Sequence, residues 1–254
     1  MIDPVRFEHV ARIDSTSSEL MRRPFGARPA APCALLADVQ EAGRGRNGRP
    51  WITESDRAIA LSVAVEREVD GASLLGLPLA VGAVTADTVA ALGARPRLKW
   101  PNDVLVLAAG GGLAKAGGIL VEVRQQGALQ RVVAGVGLNL LPQPGLAADR
   151  LGQPAGALFD PAQPPDRLGL ARALADALAA LVPAFARDGL RPWLARWREL
   201  DALADAPVDL LRPDGRREPG TARGIDDDGA LRVERSDGTL ERVASGEVSV
   251  RPRG

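Results

Sequence analysis

The feature that most constrains this sequence is a strand-like apolar run that leads directly into a basic, glycine-rich loop. Residues Cys33–Val39 are almost continuously apolar, which predicts a buried β-strand. The loop Gly43–Trp51 follows shortly after, with three arginines and with three glycines in its first six residues. Glycine lets the main chain approach a ligand closely, and arginine offers forked donors that suit carboxylate or phosphate. We predict an anion-binding loop, with a solvated basic surface loop as the alternative; it is not a Walker A loop, because it lacks the Lys-Ser/Thr ending.

The composition makes any basic site a local one and removes several mechanisms. The 254 residues carry a formal net charge of zero, which gives no support to a general nucleic-acid or membrane role. Cys33 is the single cysteine, and we see neither an apolar N-terminal segment nor a run of about 20 apolar residues, so we expect a cytoplasmic protein without a membrane span. A Cys/His zinc site cannot be built, and a Ser-His-Asp triad would have to use His9, the single histidine. We therefore expect the chain to work by binding, orienting and neutralising charge.

Lysine and asparagine are almost absent from the chain, which draws attention to the few that occur. The 32 basic residues include only two lysines, and the chain has three asparagines; these five residues are Lys99, Lys115, Asn47, Asn102 and Asn139. Each lies in a segment that looks like a motif on other grounds. The bias indicates that these positions require an amine or an amide that arginine or serine cannot replace.

Hydrophobic periodicity predicts an α+β fold, a mixed β-sheet flanked by helices. Strands are expected at 7–13, 33–39, 58–66, 97–106, 115–123 and 131–140, and helices near 16–21 and at 73–92, 166–185 and 190–203. Thr16 and Glu19 fit a capping box that opens the first helix. From Pro207 onward, short β-runs alternate with Asp-Gly turns, so we divide the chain into a main domain, 1–205, and a small all-β module, 206–254, docked on it.

Four segments, in this order, resemble the motifs of the biotin protein ligase family. They are Gln40–Trp51, Lys99-Trp100-Pro101-Asn102-Asp103, Lys115–Glu122 and Gly135-Val136-Gly137-Leu138-Asn139. The resemblance covers nearly the whole chain and includes a small SH3-like C-terminal module that ends in residues 245–248. It implies the class II synthetase-like catalytic domain of that family. Because the chain starts almost at its first catalytic strand, it also implies a form without an N-terminal DNA-binding domain, and hence no DNA binding.

The resemblance implies a two-step reaction that uses MgATP and no tightly bound cofactor. The carboxylate of biotin attacks the α-phosphate of ATP, which gives biotinyl-adenylate and pyrophosphate. The ε-amine of a lysine on a biotin carboxyl carrier protein then attacks the mixed anhydride. Both nucleophiles come from substrates, so the enzyme needs charge neutralisation, alignment and exclusion of water. Whether the chain forms a homodimer is left open.

The resemblance also implies roles for individual residues. Catalytic roles fall to Arg46, Lys115 and Asp103, and Asp103 is in addition the expected Mg²⁺ ligand. The expected biotin-binding residues are Ser15, Thr16, Gln40, Arg44, Arg46, Lys115, Gly117, Gly118, Gly135 and Gly137. The expected ATP- and adenylate-binding residues are Arg44, Arg46, Arg49, Trp51, Lys99, Asn102, Lys115 and Asn139.

Three features depart from the family's pattern, and two other functions compete. Ser17 stands where the family often has asparagine, Asn47 stands where arginine is common, and an insertion at 108–112 lies next to the expected site. The nearer alternative is a lipoate or octanoate protein ligase of the same superfamily. The farther alternative is a nucleic-acid-binding module that uses the basic loop, which the zero net charge and the lack of interleaved aromatics disfavour.

Overall fold

A seven-stranded mixed sheet organises the main domain. The computed structural model of the chain describes residues 4–53, 56–68, 74–108, 110–143, 154–212, 214–244 and 249–252. The strands are β1 (Arg6–Ile13), β2 (Cys33–Gln40), β3 (Ala58–Glu68), β4 (Arg97–Lys99), β5 (Asp103–Leu107), β6 (Leu113–Gln126) and β7 (Leu129–Asn139). Their order across the sheet is β1-β2-β3-β7-β6-β5-β4, and only β1 and β2 run parallel. The predicted mixed sheet is confirmed, and each predicted strand segment forms one strand or, at 97–106, a hairpin.

Four α-helices in the described part of the chain flank the sheet. They are α1 (Thr16–Arg22), α2 (Leu77–Ala90), α3 (Arg167–Asp188) and α4 (Arg191–Leu200). The predicted apolar stripe of α3 is confirmed as a core contact, because Leu170, Leu174 and Leu178 are fully buried. Helix α3 alone among the described helices is long and apolar enough for a membrane span by length and composition: it has 22 residues, and an 18-residue window within it has a mean hydropathy of 1.6. Half of that segment is buried inside the fold, as in the core helix of a folded domain.

The starts of two helices differ from the prediction. Ser15, and not Thr16, caps α1, and its Oγ accepts a hydrogen bond from the backbone nitrogen of Ser18 at 3.3 Å. Thr16 is therefore the first helical residue, which frees its hydroxyl for other partners. Helix α2 begins at Leu77 because Gly76 before it has φ of 82°, a conformation that ends regular structure. The predicted start at Ser73 lies outside the described residues.

The C-terminal residues form the predicted small all-β module. Its strands are β8 (Pro207–Leu211), β9 (Arg217–Ile225), β10 (Leu231–Glu234), β11 (Leu240–Val243) and β12 (Ser249–Pro252), in the order β11-β10-β9-β8-β12. Its apolar residues belong to the same continuous core as those of the main domain. A polar tie joins the two as well, because the indole nitrogen of Trp100 donates to the carbonyl oxygen of Gly229 at 3.0 Å. The division at residue 205 stays a prediction, and the motif at 245–248 lies outside the described residues.

Candidate active site

A cavity of about 440 Å³ opens on the face of the sheet that carries α1. This volume is within the range of small-molecule sites. Every predicted site residue except Gly117 lines it: Ser15, Thr16, Gln40, Arg44, Arg46, Arg49, Trp51, Lys99, Asn102, Asp103, Lys115, Gly118, Gly135, Gly137 and Asn139. The described lining contains six cationic side chains and one carboxylate, so a neutral chain concentrates positive charge at one place. The predicted basic site is local, and it suits an anionic ligand.

One end of the cavity is a buried cluster of two lysines around an aspartate. The β4–β5 register places Lys99 directly opposite Asp103, and the Nζ of Lys99 donates to Oδ2 at 3.1 Å. Lys115 on β6 donates to the other oxygen, Oδ1, at 2.5 Å. Burial alone would raise the pKa of Asp103, but Lys115 and Lys99 outweigh it and hold that pKa below its ordinary value. Burial lowers the pKa of Lys99, with Asp103 opposing the shift. The carboxylate thus fixes both amines without an added ligand.

The other end is a cluster of buried hydroxyls. The Oγ of Ser62 lies 2.8 Å from Oγ1 of Thr16 and 2.9 Å from Oγ of Ser17. The side-chain oxygen of Gln40 accepts from the backbone nitrogen of Thr16 at 2.9 Å and from its hydroxyl at 3.1 Å. Gly135 packs against this cluster, because a Cβ there would lie 2.7 Å from Oγ of Ser17. These three hydroxyls lie in one buried patch, and each can donate and accept. Together they can hydrogen-bond to the polar edge of a ring.

Trp51 lies flat against the glycines of the sheet. A Cβ at Gly137 would come within 2.3 Å of the Trp51 indole, and one at Gly118 would lie 3.7 Å from it. The close neighbour of the Gly137 backbone is thus the chain's own tryptophan side chain. Gly117, which was expected to bind biotin, does not line the cavity. A Cβ at Gly117 would point at the Leu138 side chain and the Gly137 carbonyl, on the side away from the cavity. Alternation along β6 explains this difference between neighbouring glycines.

The basic loop is a short hairpin over the cavity. The backbone nitrogen of Trp51 donates to the Gly43 carbonyl at 2.8 Å, and that of Gly45 donates to the Arg49 carbonyl at 2.7 Å. At its tip, Asn47 has φ of 56° and ψ of 32°, the left-handed conformation that asparagine tolerates better than arginine. The departure at Asn47 therefore has a backbone explanation. Arg46 is half-buried and burial lowers its pKa, with the charge of Asp103 opposing that shift.

The other two asparagines hold the walls of the cavity together. Asn102 donates from Nδ2 to the Ile119 carbonyl at 2.9 Å, which ties the β4–β5 turn to β6. Asn139 donates to the Gly156 carbonyl at 3.1 Å and accepts at Oδ1 from Gln143 at 2.6 Å. Both amide nitrogens have protein partners, and the requirement for an amide that the scarcity of asparagine indicated stays a prediction. Their expected contacts with ATP stay predictions.

Sequence reasoning gave no role to Ser62 or Arg251, which both line the cavity. Ser62 lies in the apolar strand β3, where one polar residue in a buried run was the available signal. Arg251 lies in β12 of the C-terminal module and reaches the cavity, where its charge helps to lower the pKa of Lys99. No local pattern indicates Arg251, because its place depends on how the module docks.

The donor set does not fit a resident Mg²⁺ ion. Asp103 is the one carboxylate among the described lining residues, and both of its oxygens accept hydrogen bonds from ammonium groups. Within the described chain, no group of three or more His, Cys, Asp or Glu side chains is placed to hold a metal. Mg²⁺ is commonly bound through one or two carboxylates together with substrate phosphates and waters. Two adjacent ammonium groups disfavour a third cation at Asp103. A metal held by Asp103 therefore has no part in the proposed reaction.

His9 takes no part in the cavity. Its Nε2 lies 2.8 Å from Oδ1 of Asp38, and Arg167 donates to the same oxygen at 2.9 Å. His9 is an ordinary residue of the edge strand β1. A Ser-His-Asp triad at His9 would need a serine partner, and Nε2 of its ring instead contacts the carboxylate of Asp38.

Comparison with known proteins agrees with the motifs. The model described as "Biotin/lipoate A/B protein ligase family" matches residues 10–139, and "Biotin protein ligase C terminal domain" matches 207–251. The bifunctional ligase/repressor BirA of Salmonella typhimurium is 36% identical, over 94% of this chain and 72% of its own length. The biotin--[acetyl-CoA-carboxylase] ligase of Mycobacterium tuberculosis is also 36% identical, over 94% of this chain and 86% of its own.

Solved structures extend the likeness to the fold. The biotin protein ligase from Aquifex aeolicus in complex with biotin and ATP has a TM-score of 0.78 at 21% identity, and the match covers 98% of this chain and 99% of that one. The fold is therefore the mixed-sheet biotin/lipoate ligase fold with an SH3-like C-terminal module. Together with the curated relatives, this favours the biotin branch over the lipoate or nucleic-acid alternatives. The chain belongs to the biotin protein ligase family.

Proposed function

We propose that this chain activates biotin with ATP as biotinyl-adenylate and transfers the biotinyl group to a lysine of a biotin carboxyl carrier protein. The observation that carries the proposal is the fixed Lys99–Asp103–Lys115 cluster facing the arginine loop across one cavity. Two anionic groups, a carboxylate and a triphosphate, must come together in the first step, and their repulsion is the obstacle. A cavity rich in cations removes that obstacle.

The residues of the sheet are suited to the first step. An ammonium has three N–H donors, and Asp103 takes one from Lys115, which leaves donors for the carboxylate of biotin and for the α-phosphate. As the carboxylate oxygen bonds to the α-phosphorus, the bond to the bridging oxygen of the β-phosphate breaks, and pyrophosphate leaves. Lys115 and Arg46 neutralise the charge that develops on the α-phosphate, while Arg49 and Arg251 lie along the cavity for the remaining phosphates.

The hydroxyl cluster is suited to the uncharged end of biotin. The ureido ring of biotin offers one carbonyl and two N–H groups, and Thr16, Ser17 and Ser62 supply both donors and acceptors. The sulfur-containing ring would lie beside Gly135, and the aliphatic tail would pass along the indole of Trp51, which itself covers Gly137. Trp51 would cover the tail on one side and present its other face to adenine.

The second step needs access for one amine and exclusion of water. The lysine of the carrier attacks the carbonyl carbon of the mixed anhydride, the bond to the phosphate oxygen breaks, and AMP leaves as the amine loses a proton. Water would destroy the anhydride in the same way, so the arginine hairpin over the cavity protects the intermediate until the carrier arrives. We place the protein in the cytoplasm, where such carriers are made.

The direct test uses the purified chain with biotin, MgATP and a biotin carboxyl carrier domain. Mass spectrometry of the carrier should show one added biotinyl group on one lysine. Lipoate and octanoate, offered in competition, should not be transferred. Preferred transfer of either acid would overturn the assignment in favour of the lipoate alternative.

The expected absence of DNA binding stays a separate prediction. It rests on the zero net charge of the chain. A footprinting titration on duplex DNA, with and without biotin and MgATP, checks it at physiological salt. A saturable, sequence-specific footprint would contradict it.

A further inference from the structure

The arginine hairpin is joined to the sheet by few side-chain contacts. Trp51 lies on Gly137 at the end of the hairpin. At its beginning, Nη2 of Arg44 donates to Oε1 of Glu122 on β6 at 3.3 Å. Within the described part of the chain, this is the one ion pair between a hairpin arginine and the body of the protein. Both contacts lie at the base of the hairpin, while its tip at Asn47 is exposed.

The carboxylate of Glu122 is placed to form an ion pair with a cation. It follows the Lys115–Gly118 segment on the same strand, and its side chain is 26% exposed. Its second oxygen, Oε2, is buried and has no hydrogen-bond partner among the described residues. A buried carboxylate oxygen without a donor is costly, so the pairing with Arg44 is the contact that compensates this carboxylate. Nothing in the proposed chemistry uses Glu122.

Arg44 is bound differently from the other two arginines of the loop. Its guanidinium reaches away to Glu122, whereas Arg46, two residues on, lies half-buried within the field of Asp103. Arg44 and Arg46 belong to one short hairpin closed by backbone hydrogen bonds, so a loop released at Arg44 would carry Arg46 away from the cavity. The role expected for Arg44 from the resemblance was direct contact with biotin and phosphate.

We propose that Arg44 and Glu122 form a latch that holds the hairpin closed over the adenylate, which makes Glu122 a positioning residue for retention of the intermediate. The proposal rests on the proposed function and adds to it the residue that keeps the loop down. Since Arg44 is 47% exposed, the pair has the strength of a surface ion pair. Its loss should therefore change retention by about two- to fivefold, and not abolish it.

Glu122→Gln separates this role from a structural or catalytic one. The variant is tested as the full chain with biotin and MgATP in two assays: single-turnover pyrophosphate release, and labelling of albumin lysines by escaped adenylate. We expect pyrophosphate release within about twofold of wild type and albumin labelling raised about two- to fivefold. Carrier biotinylation by wild type in the same preparation tests the proposed function independently. If wild type modifies the carrier and Glu122→Gln does not increase albumin labelling, the latch is refuted while the function stands.

A matched control and a double variant sharpen the test. Glu41 lies just before the hairpin and pairs with Arg12 at 3.4 Å, with both side chains well exposed, so Glu41→Gln should label albumin no more than wild type does. Arg44→Gln should raise labelling, and combining it with Glu122→Gln should add nothing to the larger single effect, because both remove one contact. Additive effects would mean that the two residues act independently, and would overturn the latch.

Salt gives a third, independent readout. The pair is partly exposed, so raising the ionic strength should weaken it. Albumin labelling by wild type should rise with salt toward the level of Glu122→Gln, while labelling by the variant should change less. Equal salt dependence of the two proteins would contradict the latch.

Discussion

The charged site has two halves that are built in opposite ways. In one, Lys99, Asp103 and Lys115 stand on strands in a fixed register, and Lys99 is only 3% exposed. In the other, three arginines stand on a hairpin that is joined to the sheet by a tryptophan on a glycine and by one surface ion pair. Burial and backbone pairing hold the first half in place before any ligand arrives. The second half is held by fewer contacts.

This difference suggests a division of work along the reaction. Stabilising charge in a transition state needs groups that do not reorganise, which favours the half on the sheet. Admitting biotin and ATP and later exposing the anhydride to a carrier lysine need a cover that moves, which favours the half on the loop. Variants in the two halves should therefore fail at different steps.

Lys115→Ala should give the largest effect, in the rigid half. Removing one preorganised donor at the α-phosphate should slow adenylate formation by about 10²- to 10³-fold. Single-turnover pyrophosphate release measures it, and albumin labelling should fall in parallel. Arg124→Ala, an exposed change on the same strand, is the control. Pyrophosphate release near the wild-type rate in Lys115→Ala would erase the distinction between the halves.

Arg46→Gly should give the next largest effect, in the half on the loop. It removes charge-assisted hydrogen bonds worth about 1.5 to 3 kcal/mol and loosens the cover over the anhydride. Adenylate should still form and then escape, so albumin labelling should rise about 10- to 150-fold at equal pyrophosphate release. Arg46→Lys, which keeps the charge and loses the fork, should lie between. Labelling no higher than wild type with pyrophosphate release retained would show that this loop does not retain the intermediate.

Gly137→Ala tests the place where the halves touch. Its Cβ would meet the Trp51 indole at 2.3 Å, so the ring must shift with its loop. We expect a cost near the low end of overpacking, about 1 kcal/mol, seen as a roughly fivefold weaker affinity for the adenylate. Gly45→Ala in the same loop meets only ordinary contact at 3.5 Å and should bind as wild type does. Calorimetry with a non-hydrolysable adenylate analogue measures both, and unchanged affinity in Gly137→Ala would mean that Trp51 does not rest there when the ligand is bound.

Sequence reasoning predicted most of the fold, because the elements leave local patterns. The strands, the Asp166-capped helix α3 and the change of texture after Pro207 all follow from periodicity and turn residues. The predictions were wrong where a side chain had more than one possible hydrogen-bond partner. Thr16 was taken as a cap, although the adjacent Ser15 has the β-region backbone of an N-cap, with φ of −159° and ψ of 130°.

For the site, the sequence predicted which residues line the cavity better than it predicted what those residues contact. Rarity singled out Asn102 and Asn139, and both line the cavity, but their amide nitrogens bind the Ile119 and Gly156 carbonyls. Rarity indicates that an amide is required and says nothing of what it binds. Gly117 and Gly118 are neighbours in one motif, and only strand alternation assigns them to opposite sides. Arg251 depends on docking between two sheets, which no local pattern encodes.

The hydrogen bond from Trp100 to Gly229 has a consequence for how this protein can be divided. Trp100 lies between the two residues that carry the chemistry of its motif, Lys99 and Asp103, and it is 1% exposed because the C-terminal module covers it. A chain cut after residue 205 would leave the indole N–H without its partner and would strip apolar cover from a shared core. The C-terminal module should therefore not be freely exchangeable between ligases. We expect the two sheets to unfold in one cooperative event and their sequences to diverge together.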